Sequence, residues 1–346
     1  MMTYMKKNPN LNLILYLTLS SVFFNFILLN NVSITYFPSI AFLIPLIMGG
    51  LSILLFIFLP KQKNEFIKHN TFVKLISFLY YIGLNILLLL LCTYVLNYYF
   101  YPKTNFLLLS TLFSLVILLI SLYKTKHIYD ISFTIFLLIF ISNFILLFNT
   151  SYGDFDLLFN IRINTLFNNK WFLLLSLLFI QLDPICFYLN NIIEEKSNMR
   201  KSIIISTIIS SAISCMTILI NYLYYSSSYL SEAIFPSFSF ISCLLGPEFL
   251  DYFTIIILIN TLTYCLLKSS LNISLISSNY YSKSIINIIT IAFVLFITNL
   301  IYQYEFLSFY QFKYLGITLS LILLIIYIWL VISKGGNKSA FTFNKR

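Results

Sequence analysis

The stretch FIQLDPICFY, residues 179–188, sets an acid beside a proline inside an apolar run long enough to cross a bilayer. Proline has no N–H to offer the carbonyl of Ile180, and its ring disfavours helical geometry at Asp183. Asp followed by Pro is also a helix-start pair, with Asp as N-cap and Pro at the first helical position. The run 170–191 therefore reads as two half-helices meeting near Leu182–Asp183. In lipid, irregular backbone at that depth is tolerated only where protein covers it or where it lines a watery cavity. An ionised Asp near the bilayer centre costs about 3 kcal/mol on insertion scales, so Asp183 should face the interior of a helix bundle. Two readings stay open: a cap and kink with only a structural role, or a break that forms a binding site.

The rest of the chain places that run among many like it. Hydrophobic residues make up 60% of the 346 and charged residues 9%, far too apolar for a soluble core. Mean hydropathy is +0.93. About 20 consecutive apolar residues span a bilayer, and the pattern predicts an all-α polytopic membrane protein with about ten transmembrane helices. The expected spans are 11–30, 39–59, 72–98, 105–123, 129–149, 170–191, 202–222, 251–275, 284–302 and 314–333. The N-terminus imitates a signal peptide, with Lys6 and Lys7 before an apolar stretch. It has no small-x-small cleavage site, so it reads as a retained first span. No soluble domain is expected; residues 1–346 read as one transmembrane domain.

The net charge of +10 would point to nucleic acid in a soluble protein, but here it marks topology. With the N-terminus inside, 16 of the 21 Lys and Arg fall in inner loops, four in outer loops, and one, Lys268, within a span. Cytoplasmic loops carry such an excess, so both termini are expected in the cytoplasm and no nucleic-acid partner is expected. The outer segment 223–250 is too apolar for a solvated loop and too interrupted by Pro236, Gly246 and Pro247 for a span. It reads as an interfacial helix or lid.

Catalytic and metal chemistry find little support. The five cysteines lie in or beside apolar segments without metal-ligand spacing, and His69 and His127 both fall in polar loops. No metal, no cofactor and no enzymatic activity is expected. A membrane glycan polymerase or ligase would carry a substantial outer loop rich in Arg, His or acids, and this chain has none.

Binding finds more. Asp183 is the only carboxylate well inside a span and Lys268, in TYCLLKSSLNIS, the only base. They invite pairing with each other, or a site for a zwitterion. Lys268 lies near enough to the inner interface that its stem could snorkel instead. Ser20 and Ser21 fall near the midpoint of span one, where serines often bond back to their own helix. Ten spans divide as five plus five, over about 11–149 and 170–333, so spans one and six are corresponding helices, each with a polar interruption. Transporters built from inverted repeats place substrate between two such helices.

Several stretches carry a resemblance to a known family. FPSIAFLIPLIMGGLSILLFIFLP (37–60) holds Gly49-Gly50 in the second span, and DFDLLFN (154–160) precedes the sixth. FIQLDPICFYLNNI brings Asp183 to the acid of an FGE-like motif. FPSFSFISCLLGPEFLDYF (235–253) and LLKSSLNIS (266–274), with Lys268, follow in order. The set resembles the B subunit of endospore germinant receptors, a branch of the amino acid–polyamine–organocation transporter superfamily. The chain departs from that pattern with Leu19-Ser20-Ser21 in place of a glycine-bearing break, and with Tyr252 in place of an arginine.

The resemblance implies a LeuT-type 5+5 inverted repeat with helices one and six broken, in the spore inner membrane. It implies A and C receptor subunits as partners. The function implied is sensing of a small germinant, often an amino acid, bound at mid-membrane. On that view Gln181 and Asp183 offer acceptors, Ser20 and Ser21 polar contacts, Lys268 local charge, and Tyr81 and Tyr264 line the cavity. A proton- or amine-coupled amino-acid permease of the same superfamily is the alternative.

Overall fold

The computed structural model describes residues 9–25, 29–30, 33–34, 37, 40–58, 71–99, 104–147, 199–226, 229–230, 251–277, 283–303, 322 and 325. These residues form eight helices and no strand: α1 (Pro9–Phe24), α2 (Ile44–Phe58), α3 (Thr71–Tyr99), α4 (Phe106–Ser121), α5 (Thr125–Leu147), α6 (Met199–Tyr224), α7 (Asp251–Ser277) and α8 (Lys283–Gln303). They correspond to the expected spans one to five and seven to nine. The expected spans six and ten, apart from residues 322 and 325, lie outside the described residues, as do Gln181 and Asp183.

Among the described residues, two helical segments, Ile203–Tyr224 and Lys283–Gln303, are long and apolar enough to cross a membrane. A third candidate is the pair α4 and α5, which meet at a bend of 117° over Leu122–Lys124. Asn105 starts α4 as its N-cap, its side chain accepting from the Leu107 N–H at 3.0 Å. That bond satisfies one of the donors that every helix start leaves over.

The helix faces are arranged inside out. Along α4 the buried stripe includes Ser110, Ser114 and Ser121, whereas Leu108, Leu112, Leu115 and Leu119 are exposed. Along α8 the buried stripe includes Asn287, Thr290 and Thr298, and the exposed face carries Ile285, Ile289 and Phe296. In water the two faces would be exchanged; helices standing in lipid hide polar groups against one another and turn hydrocarbon outward. Some of the hidden groups bond within their own helix, as Ser114 and Thr298 do, and others across the helices. Ser110 Oγ donates to Asn299 Oδ1 at 3.2 Å, and Asn287 Nδ2 donates to both the Ser121 carbonyl and its hydroxyl at 3.1 Å.

Packing follows a regular order. α2 lies against α6, α3 against α7, and α4 against α8; α3 also meets α8 and α4 meets α7. α1 packs mainly on α6 and touches α5, while α5 packs on α7. A small residue permits a close approach of α2 to α6. A Cβ at Gly49 of α2 would overlap Ser211 of α6, whereas one at Gly50 would enter open space.

Candidate functional site

α7 is the helix on which the polar candidates converge. Every residue from Leu267 to Ser277 is buried, among them Lys268, Ser269, Ser270, Asn272, Ser274 and Ser277. A helix polar on several sides can be stable in an apolar bundle only if neighbouring helices satisfy it. Ser274 shares a 2.8 Å bond with Thr125 at the start of α5. Ser270 Oγ bonds its own Leu266 carbonyl at 2.7 Å, with a longer approach of 3.4 Å to the Ile117 carbonyl of α4.

The side chains one and two turns earlier reach α1. Lys268 Nζ donates to Ser20 Oγ at 2.9 Å, and Tyr264 Oη donates to the Ser20 carbonyl at 3.1 Å. Lys268 is 1% exposed, and its side chain ends at Ser20 inside the bundle. Lys268 lies nine residues before Ser277 on α7, about 14 Å along the helix at 1.5 Å per residue. Tyr264 and Lys268 are four residues apart and share one face of α7. Tyr16 and Ser20 are likewise paired on α1.

An aromatic layer packs beside this junction. The Tyr16 ring lies 4.6 Å from Tyr129 and 5.9 Å from Phe136 between centroids, and Phe136 lies 5.0 Å from Tyr264. α5 therefore holds α1 and α7 together through Tyr129 and Phe136, while Ser20 receives both hydrogen bonds. Such contacts add about 0.5–1.5 kcal/mol each beyond area burial.

α1 runs unbroken through Ser20 and Ser21 as far as Phe24, so the expected interruption at this serine pair is not a break in the helix. The regular helix gives way at Asn25 to a wider, π-type turn, five residues beyond Ser20. Such turns recur at functional sites because they free backbone groups and redirect side chains. Asn25 is 1% exposed, and among the described residues neither its Nδ2 nor its Oδ1 has a hydrogen-bond partner. A buried amide with both ends unmet is costly, on the order of 1–3 kcal/mol per group.

The expected site residues thus divide. Ser20, Tyr264 and Lys268 come together at one point, and Ser21 sits half-buried beside it. Tyr81 is buried on α3 with its ring edge-on to Tyr80 at 5.5 Å. It stands well away along the bundle. Cys92 of α3 lies against Cys265 of α7, and Asn85 bonds Asn272, so the two helices run antiparallel with matched spacing. Tyr81 consequently faces Ile276, about 12 Å along α7 from Lys268. Of the two tyrosines expected to line a cavity, Tyr264 is the one that reaches Ser20.

Asn25, Tyr16, Tyr129 and Phe136 carry no expectation from sequence. Asn25 could have been found as an amide set among apolar residues in the outer half of the first run, in SSVFFNF; the aromatics are lost among 36 Phe and 26 Tyr. Among the described residues, no group of three or more His, Cys, Asp or Glu could hold a metal ion.

The chain matches no protein-family model and no curated protein sequence.

Proposed function

We propose that this chain is a transporter-like membrane protein that binds a small zwitterion beside α1, and that it acts as the nutrient-sensing B-type subunit of an endospore germinant receptor. The observation that carries the binding reading is the junction at Ser20. A buried ammonium and a phenol from α7 meet α1 five residues before a buried amide that has both its donor and its acceptor to give. Lys268 and Asn25 Nδ2 suit a carboxylate, and Asn25 Oδ1 suits an ammonium group. An amino acid carries both.

The order of helix packing supports a 5+5 repeat. If α2, α3 and α4 are spans two to four, then α6, α7 and α8 are spans seven to nine, and each packs on the span five places later. The cross-contacts occur in both senses, α3 with α8 and α4 with α7, as two repeats related by a two-fold axis require. Five spans per half is odd, so the second half would start on the opposite side, the inverted arrangement. On this reading Asp183 and Gln181, expected in the sixth span, contribute to the same site. The A and C subunits are the partners, the spore inner membrane is the location, and ligand acts by preferring one of two conformations.

Germination of spores carrying Asn25→Leu, Asp183→Asn or Lys268→Met, with receptor assembly verified, tests the proposal. A loss of response to one nutrient class, with assembly intact, is the expected result. Unchanged dose–response in all three variants refutes it. Uptake of labelled amino acid by purified protein in proteoliposomes would assign the chain to the permeases instead.

A further inference from the structure

The contact of α3 with α7 changes character along its length. Cys92, Leu88, Asn85 and Tyr81 recur at alternating spacings of four and three on α3, and Cys265, Ser269, Asn272 and Ile276 do so on α7. This is the spacing of two antiparallel helices whose side chains interlock along a seam. At one end the seam is closed by two thiols: Cys92 Sγ donates to the Leu262 carbonyl at 3.9 Å beside Cys265.

One to two turns further along, it is polar and incompletely bonded. Asn272 Nδ2 donates to Asn85 Oδ1 at 3.4 Å, a long bond for an amide pair. Among the described residues, Asn85 Nδ2 and Asn272 Oδ1 are left buried without partners. Exchanging oxygen and nitrogen in both amides leaves the same remainder, one donor and one acceptor, so the shortfall does not depend on how they are turned. Ser269 Oγ is a third buried polar atom without a partner, on the same face of α7 three residues before Asn272. Asn85, Ser269 and Asn272 are each at most 1% exposed.

A donor, an acceptor and a hydroxyl on one seam fit a molecule that both gives and takes hydrogen bonds and is no larger than the seam admits. We propose that Asn85, Ser269 and Asn272 form a site for one ordered water molecule bridging α3 and α7. Water with three polar partners is the usual occupant of such buried sites. The bound water accepts from Asn85 Nδ2, donates to Asn272 Oδ1 and exchanges its remaining bond with Ser269 Oγ. It lies within one helical turn of Lys268, on the side away from Tyr264, and is independent of the ligand proposed beside Asn25.

Two experiments test it. A structure of the wild-type protein at a resolution that shows ordered water should reveal density within hydrogen-bonding distance of all three atoms. Asn85 and Asn272 drawn into a reciprocal two-bond pair, with Ser269 bonded back to its own helix and no density between, would overturn the site. A thermal-denaturation cycle with Ser269→Ala and Asn272→Leu gives an independent readout. Shared water makes the two changes overlap, so the double variant's Tm should fall by less than the sum of the single falls. Falls that add in full would count against a common water.

Discussion

Lys268 and Ser20 are 248 residues apart in sequence and joined by a 2.9 Å hydrogen bond inside the bundle. The bond ties α7 to α1 just before α1 loses its regular helical form at Asn25. Whatever moves the end of α1 must therefore strain or break a charge-assisted bond.

Lys268→Met removes that bond and a buried charge together. Hydrogen bonds to charged groups contribute about 1.5–3 kcal/mol, so a binding site coupled to this junction should weaken about tenfold or more. Isothermal titration of the purified protein with the effective ligand would measure the change. Equal affinity in the variant and the wild type would separate the junction from binding.

Tyr264→Phe keeps the ring against Phe136 and deletes only the donor to the Ser20 carbonyl. A loss of about 0.5–1.5 kcal/mol is expected. Tyr264→Ala deletes the ring as well and should cost about 3–5 kcal/mol. Denaturation of the detergent-solubilised protein should rank the two in that order.

The adjacent glycines of α2 should behave oppositely. Gly49→Ala drives a methyl group into Ser211 of α6 and should destabilise by about 1–3 kcal/mol, as overpacking does. Gly50→Ala meets nothing and should be neutral or gain up to about 1 kcal/mol from helix propensity. Equal shifts in melting temperature would contradict the close approach of α2 and α6.

The outward leucines of α4 should tolerate apolar exchange and reject charge. Leu112→Lys places an ammonium on the lipid-facing side, at about 2.5–3.5 kcal/mol on insertion scales. Leu112→Ile should be silent. The fraction of chain resisting carbonate extraction from membranes would distinguish them.

Helix extents were legible in the sequence because lipid leaves the backbone few options. The expected spans 72–98, 202–222 and 284–302 correspond to Thr71–Tyr99, Met199–Tyr224 and Lys283–Gln303. The end of α1 was not legible. Ser20-Ser21 looked like the interruption, yet a serine pair fits within a helix by bonding to its neighbours, and the change of geometry comes at Asn25.

The site was legible in its charges and not in its distances. Lys268 stood out as the single base within a span, and Ser20 as a polar residue in an apolar one. Hydropathy places Ser20 near the midpoint of its span and Lys268 nearer the inner end of its own, but periodicity gives no azimuth between two helices. Tyr264 and Tyr81 therefore looked alike from sequence: both are tyrosines in long apolar helices. Antiparallel packing of α3 on α7 sets Tyr81 about 12 Å away along the bundle, while Tyr264 lands on the Ser20 carbonyl. Composition and pattern alone determined that the chain is helical and which residues it cannot leave facing lipid. Which of those residues meet was decided by tertiary packing, because a helix constrains neighbours three and four residues apart and says nothing of a partner 248 residues away.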